Sequence, residues 1–148
     1  MLLRTGLILA LSLPLFACVE TPPISLSQDE IWKGIEACKG KEVCSISNLV
    51  AAEMNKQVGR NFGNGVKLRG AKSDGETVTL GVDVPAKIVN EPVKSGQSVE
   101  QYLGNAFRDG MCKQNKDVRR FLSLGGKVRL VTYLPSGKKF SDSVLKSC

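Results

Sequence analysis

Five cysteines and no histidine set the chemistry open to this 148-residue chain. Without His, the commonest general base and the commonest metal ligand are missing. The cysteines stand at Cys18, Cys38, Cys44, Cys112 and Cys148. A zinc site would call for C-x-x-C pairs or His partners, and neither is present. Cys18 sits apart, at the end of an apolar stretch. The other four allow three disulfide pairings. The preferred one joins Cys38 to Cys44, closing a small loop over Lys39 to Val43, and Cys112 to Cys148, tying residue 148 back to a helix. Chain-entropy arithmetic gives the long bridge about 4 kcal/mol and the short one about 2 kcal/mol. Both bridges are structural, and no metal or other cofactor is expected.

Nothing else in the sequence carries a reaction. There is no G-x-S-x-G and no H-E-x-x-H. The run Gly59-Arg60-Asn61-Phe62-Gly63-Asn64-Gly65 lacks the G-K-[ST] ending of a phosphate-binding loop, so it reads as a helix stop and a loop. An enzyme is therefore not expected. Twenty-one Lys and Arg against 14 Asp and Glu give a net charge of +7. Such a charge can serve nucleic acid, but only eight aromatic residues are present, mostly in apolar stripes, and the chain carries an export signal. No nucleic-acid partner is expected.

That signal occupies residues 1–17. Arg4 is the positive end, and Gly6 to Leu13 form the apolar centre. As a helix, Gly6 to Ala17 would reach only ~18 Å, too short for a hydrocarbon core of ~30 Å. Leu15-Phe16-Ala17-Cys18 resembles a bacterial lipobox, in which the Cys becomes the first mature residue and carries lipid, palmitate included. Two or three acyl chains would anchor it durably, at about 0.8 kcal/mol per buried CH2. By resemblance to enterobacterial sorting, Val19 points to the outer membrane, with the domain on the periplasmic side. Residues 18–26 form a short tether, and Val19 to Ile24 would extend only ~20 Å. Arg4 leaves with the signal, lowering the net charge to +6.

Residues 27–148 read as one α+β domain. Ser27 to Glu30 is a capping box opening a helix that carries Ile31, Trp32, Ile35 and Cys38. A second helix is expected from near Ser47, with Leu49, Val50, Met54 and Val58 on one face and Gly59 as its stop. Val66 and Leu68, then Val78, Leu80, Val82 and Val84, alternate with polar residues about the turn Ser73-Asp74-Gly75. Lys87 to Gly96 reads as a connector. Ser98 to Gln101 is another capping box, and Val99, Tyr102, Leu103, Ala106, Phe107 and Met111 form a helical stripe. Asp117 opens a short helix with Val118, Phe121 and Leu122, broken by Gly125-Gly126. A second hairpin pairs Lys127–Leu134 with Lys138–Leu145. The order α-α-β-β-α-α-β-β implies an antiparallel sheet of two hairpins with helices on one face. Lys67, Arg69, Lys127 and Arg129 then fall on the open face, a candidate basic docking surface for lipid headgroups or an acidic partner.

From about residue 66 to 148 the chain resembles the AspS-type (β-type GspS) pilotins of type II secretion systems. The likeness runs in order through Gly65-Val66-Lys67-Leu68, Ser73 to Val78, Val99-Glu100-Gln101-Tyr102-Leu103, Arg108 to Cys112, Val118 to Leu122, Ser136 to Phe140, and Cys148. The family implies small outer-membrane lipoproteins with a helix-to-C-terminus disulfide, matching Cys112 and Cys148. The segment around Cys38 and Cys44 departs from its pattern.

The resemblance implies a protein-binding and assembly factor. Such a factor holds the C-terminal segment of a secretin subunit in a groove and brings it to the outer membrane on its own lipid. The alternative is an envelope inhibitor or exclusion lipoprotein that blocks a foreign enzyme or transfer apparatus, with Gly59–Gly65 or Lys87–Gly96 as the presented loop. An accessory lipoprotein of another secretion machine would look the same from sequence.

Overall fold

The computed structural model describes residues 29, 38, 40–90 and 96–148. The signal, Cys18, the tether and nearly all of the helix expected from Ser27 lie outside the described residues. Within them the elements run α1 (Glu42–Asn55), β1 (Lys67–Asp74), β2 (Thr77–Asp83), α2 (Ala86–Asn90), α3 (Val99–Gln114), α4 (Lys116–Ser123), β3 (Lys127–Tyr133) and β4 (Lys139–Leu145).

The four strands form one sheet in the order β1-β2-β3-β4. Both hairpins are antiparallel, but β2 pairs with β3 in parallel, with Val78 beside Val128 and Leu80 beside Leu130. The sheet is therefore mixed rather than antiparallel throughout. Alternation along a strand is the same in both pairings, so the sequence pattern could not separate them. The deciding feature is the connection between β2 and β3. Among the described residues it holds three helices, and a crossover of that length lets the chain return to the same end of the sheet.

Helices cover one face. α1 packs over β1 and β2, while α3 and α4 reach β4 and β3. The core joins Ile46, Val50 and Met54 of α1 to Leu68, Ala71, Val78 and Leu80 of the first hairpin. Val118 and Phe121 of α4 and Val128 and Leu130 of β3 complete it.

Local departures from the expected elements have identifiable causes. α1 begins at Glu42, five residues before Ser47, and has no side-chain cap. Ser47 is instead fully buried inside it. Its Oγ lies 2.6 Å from both Ser73 Oγ and the Gly75 carbonyl and 2.9 Å from the Cys44 carbonyl, so it fastens the helix to the first hairpin. Val58 lies past the helix end and is half exposed. A register shift between Leu68 and Gly70 keeps both Leu68 and Ala71 on the core side, although two residues separate them. The stretch after Pro85, expected as a connector, opens with the short helix α2.

The second capping box is formed in full. Ser98 Oγ accepts from the Gln101 N–H at 3.2 Å, and Gln101 Oε1 accepts from the Ser98 N–H at 3.1 Å. Gly126 meets a packing demand as well as ending a helix. A Cβ there would stand 2.4 Å from the Phe121 ring, which is fully buried.

Candidate functional site

α3 is held differently from α1 and α4. Of its 16 residues only Met111, near its C-terminal end, is buried. That end is pinned. Cys112 is bonded to Cys148, with Cα atoms 5.6 Å apart, and Arg108 donates to the Cys148 carbonyl at 3.3 Å. Arg119 of α4 also donates to the Cys112 carbonyl at 2.6 Å. The first three turns of α3 ride over the sheet without closing on it.

The gap beneath them is an apolar groove. Leu103, Phe107 and Met111 line it from α3, at the helical spacing expected for a core stripe. Leu80, Val82 and Leu130 form its floor from β2 and β3, and Phe62 and Val66 close one end. Its free volume is about 140 Å3. That is close to the room of a benzene-sized guest, or one large apolar side chain. The one polar lining residue, Thr132, is satisfied. Its Oγ1 accepts from the Ser141 N–H at 3.0 Å and lies 2.6 Å from Ser141 Oγ. Nothing in the groove offers an acid, a base or a nucleophile. Its chemistry is the removal of apolar surface from water.

The remaining singled-out residues lie elsewhere. Cys38 and Cys44 are bonded, Cα atoms 5.9 Å apart, at the start of α1. Lys67, Arg69, Lys127 and Arg129 are not a uniform cationic face. Arg69 Nη2 sits 2.8 Å from Asp83 Oδ1, and its guanidinium stacks 4.2 Å above the Tyr133 ring. Arg129 grips Asp142 with two hydrogen bonds of 2.8 and 2.6 Å. Those bonds, aided by Lys139, hold the Asp142 carboxyl down at about 2 and raise the Arg129 guanidinium. Lys67 and Lys127 make no ion pair among the described residues. Glu100, in the first turn of α3, is lowered by backbone and Ser98 hydrogen bonds.

The stripe on α3 was legible in the sequence, but as core. Its true neighbours, Phe62, Val82 and Leu130, each look like an ordinary strand or loop apolar residue. Only the sheet order reveals that they share one hollow. No group of three or more metal-ligating side chains occurs among the described residues, and no helix there is long and apolar enough to cross a membrane.

No protein-family model matches the chain, and no curated protein matches it. Solved structures do. The type II secretion system pilotin AspS from Vibrio cholerae aligns at 21% identity over 75% of this chain and 94% of its own, with a TM-score of 0.56. The pilotin EpsS of the Vibrio vulnificus type 2 secretion system aligns at 15% identity over the same shares, with a TM-score of 0.60. A Pseudomonas aeruginosa protein known from a crystal structure aligns at 16% identity over 82% and 95%, with a TM-score of 0.55. The mixed sheet, the helices on one face and the groove they leave are thus built on the fold of AspS-type pilotins of type II secretion.

Proposed function

We infer that this chain is a pilotin-like assembly lipoprotein. It binds an apolar, amphipathic segment from the C-terminus of a secretion-system secretin and carries that subunit to the outer membrane. The observation that carries this reading is the groove between α3 and the sheet, on a fold shared with two pilotins. An amphipathic segment placing one or two large apolar side chains under Leu103 and Phe107 would bury surface that the isolated domain leaves open. Each such side chain, once buried, contributes roughly 1.5–3 kcal/mol before ordering costs. The protein acts by holding a partner, not by converting a substrate.

Cys18, as the acylated first mature residue, supplies the membrane address. Anchoring through a short tether would keep the domain beside the bilayer, which raises the effective concentration of any partner handed over there.

The test is direct. Purified domain is titrated with a synthetic peptide of the C-terminal segment of the secretin encoded in the same genome, and secretin is fractionated from cells with and without the protein. Binding that shifts Leu103 and Phe107 signals, with secretin lost from the outer membrane on deletion, is expected. Correctly sorted secretin in the deletion strain, with no peptide binding, would overturn the reading.

A further inference from the structure

The two edges of the sheet are treated differently. At β1 most of the outward backbone groups are occupied, those of Ser73 being the exception among the described residues. The Asn55 carboxamide bonds both groups of Ala71, the Gly59 N–H donates to the Leu68 carbonyl at 2.9 Å, and Asn61 bridges Lys67. At β4 they are open. The Lys127 N–H donates to the Glu76 carbonyl, and the Tyr133 carbonyl accepts from Val84, so the odd-numbered residues of β3 face β2. Val128 and Leu130 therefore face β4 and pair with Leu145 and Ser143. The backbone groups of Asp142 and Val144 point away from the sheet and have no partner among the described residues.

Alongside that edge runs α3. Gly104 lies over β4, where a Cβ would stand 3.8 Å from Ser143 Oγ. With Gln101, Asn105 and Arg108 it faces β4 across an open trough of about 790 Å3. A bare strand edge beside a helix is the geometry in which a sheet accepts an extended peptide as one more strand. The edge presents two N–H and two C=O groups about 7 Å apart along the strand, the repeat of an extended chain.

A second copy is a poor occupant. Pairing two β4 strands antiparallel about a two-fold axis would bring both helical layers to the same face. Each α3 would then meet the other above the junction. The trough suits a single bare strand. Its lining sets amides, hydroxyls and balanced charge beside the apolar edges of Phe107, Val144 and Leu145, which suits small or polar, uncharged side chains.

Phe107 lines both this trough and the apolar groove, so the two flank one helix. We propose that the partner segment is bipartite. Its apolar part fills the groove, and an adjoining polar stretch extends along β4, bonding the backbone of Asp142 and Val144. This rests on the pilotin reading and states how the partner is held.

The experiment uses the same secretin C-terminal peptide, with amide hydrogen exchange followed residue by residue. Bound peptide should slow exchange at Asp142 and Val144 at least tenfold. Gly104→Gln should weaken binding about fivefold or more without lowering the melting temperature, because its Cβ has ordinary room and Gln favours helix over Gly. If the peptide binds and shifts Leu103 and Phe107, but exchange at Asp142 and Val144 is unchanged and Gly104→Gln binds like the parent, strand addition is overturned and the pilotin reading stands. Absence of any binding overturns both. Slow exchange at those two amides in peptide-free protein of dimeric mass would assign the edge to a second copy and overturn the proposal.

Discussion

Asn55 places its carboxamide against the backbone of Ala71, with Nδ2 2.8 Å from the carbonyl and Oδ1 2.8 Å from the N–H. A side chain at the end of α1 thus takes the place of a neighbouring strand. It satisfies both outward groups of Ala71, just past the register shift, and fastens the helix to the sheet edge. Asn55→Ala should lower unfolding free energy by about 1–2 kcal/mol, since both backbone groups lose their partner. Asn55→Asp should do no better, because a carboxylate can accept but cannot donate to the Ala71 carbonyl. Urea titrations of the two variants test this, and parental stability in Asn55→Asp would contradict it.

The Phe121–Gly126 contact carries the second prediction. Gly126→Ala forces a methyl into a buried ring that has no exposed side to move toward. We expect a loss of about 1–3 kcal/mol or more. Gly125→Ala meets no atom within 4 Å and is strained only by its φ of +88°. The two adjacent substitutions therefore act through different causes. The Gly126 loss should shrink in a Phe121→Leu background, whereas the Gly125 loss should not.

Groove specificity can be separated from stability. Leu103→Asp puts a carboxylate where an apolar side chain of the partner would lie, while Leu103 itself is only half-buried in the free domain. Peptide affinity should fall by more than tenfold, and the melting temperature should change little. A large drop in melting temperature with affinity preserved would show that Leu103 is core.

Acid should weaken the Arg129–Asp142 pair in a defined window. The folded-state carboxyl, at about 2, lies below its ordinary 3.8. A depressed carboxylate stabilises the fold above its unfolded pKa, and that contribution disappears as pH falls from about 4 toward 2. The pair is partly exposed, so it contributes no more than about 1 kcal/mol. Asp142→Asn should cost that amount at pH 7 and remove this part of the acid dependence. An identical slope of stability against pH between 4 and 2 in the variant would refute the assignment.

Reduction gives a further check. Cys112→Ser with Cys148→Ser should cost about 2–4 kcal/mol and loosen α3 at its anchored end. Thermal melts with and without reductant would measure the cost, and peptide titration would show whether the groove needs that anchor.

Much of this fold is written in local pattern. The capping box at Ser98 and Gln101, the alternation through Val78 and Leu80, and the stripe Leu103–Phe107–Met111 are each visible within a few residues. What was not visible depends on distant contacts. Ser47 looks like a helix cap because Ser favours caps, yet Ser73 and Gly75 claim its hydroxyl from inside the helix. Arg69 and Arg129 look like free cations on an open face until Asp83 and Asp142 arrive from neighbouring strands. The groove was hidden for the same reason. An apolar stripe reads alike whether it meets a closed core or a hollow, and only the position of α3 over β2 and β3 distinguishes them.

The side-by-side alignment of β2 and β3 has a consequence for how binding competence arises. Each hairpin is a short-range unit that can form alone, but the groove floor takes Val82 from one and Leu130 from the other, roofed by a helix from the segment between them. Neither hairpin alone holds a complete receptor surface. Capture of a ligand there would accordingly read out that the long-range step of folding has finished, and partly folded molecules should remain blind to it.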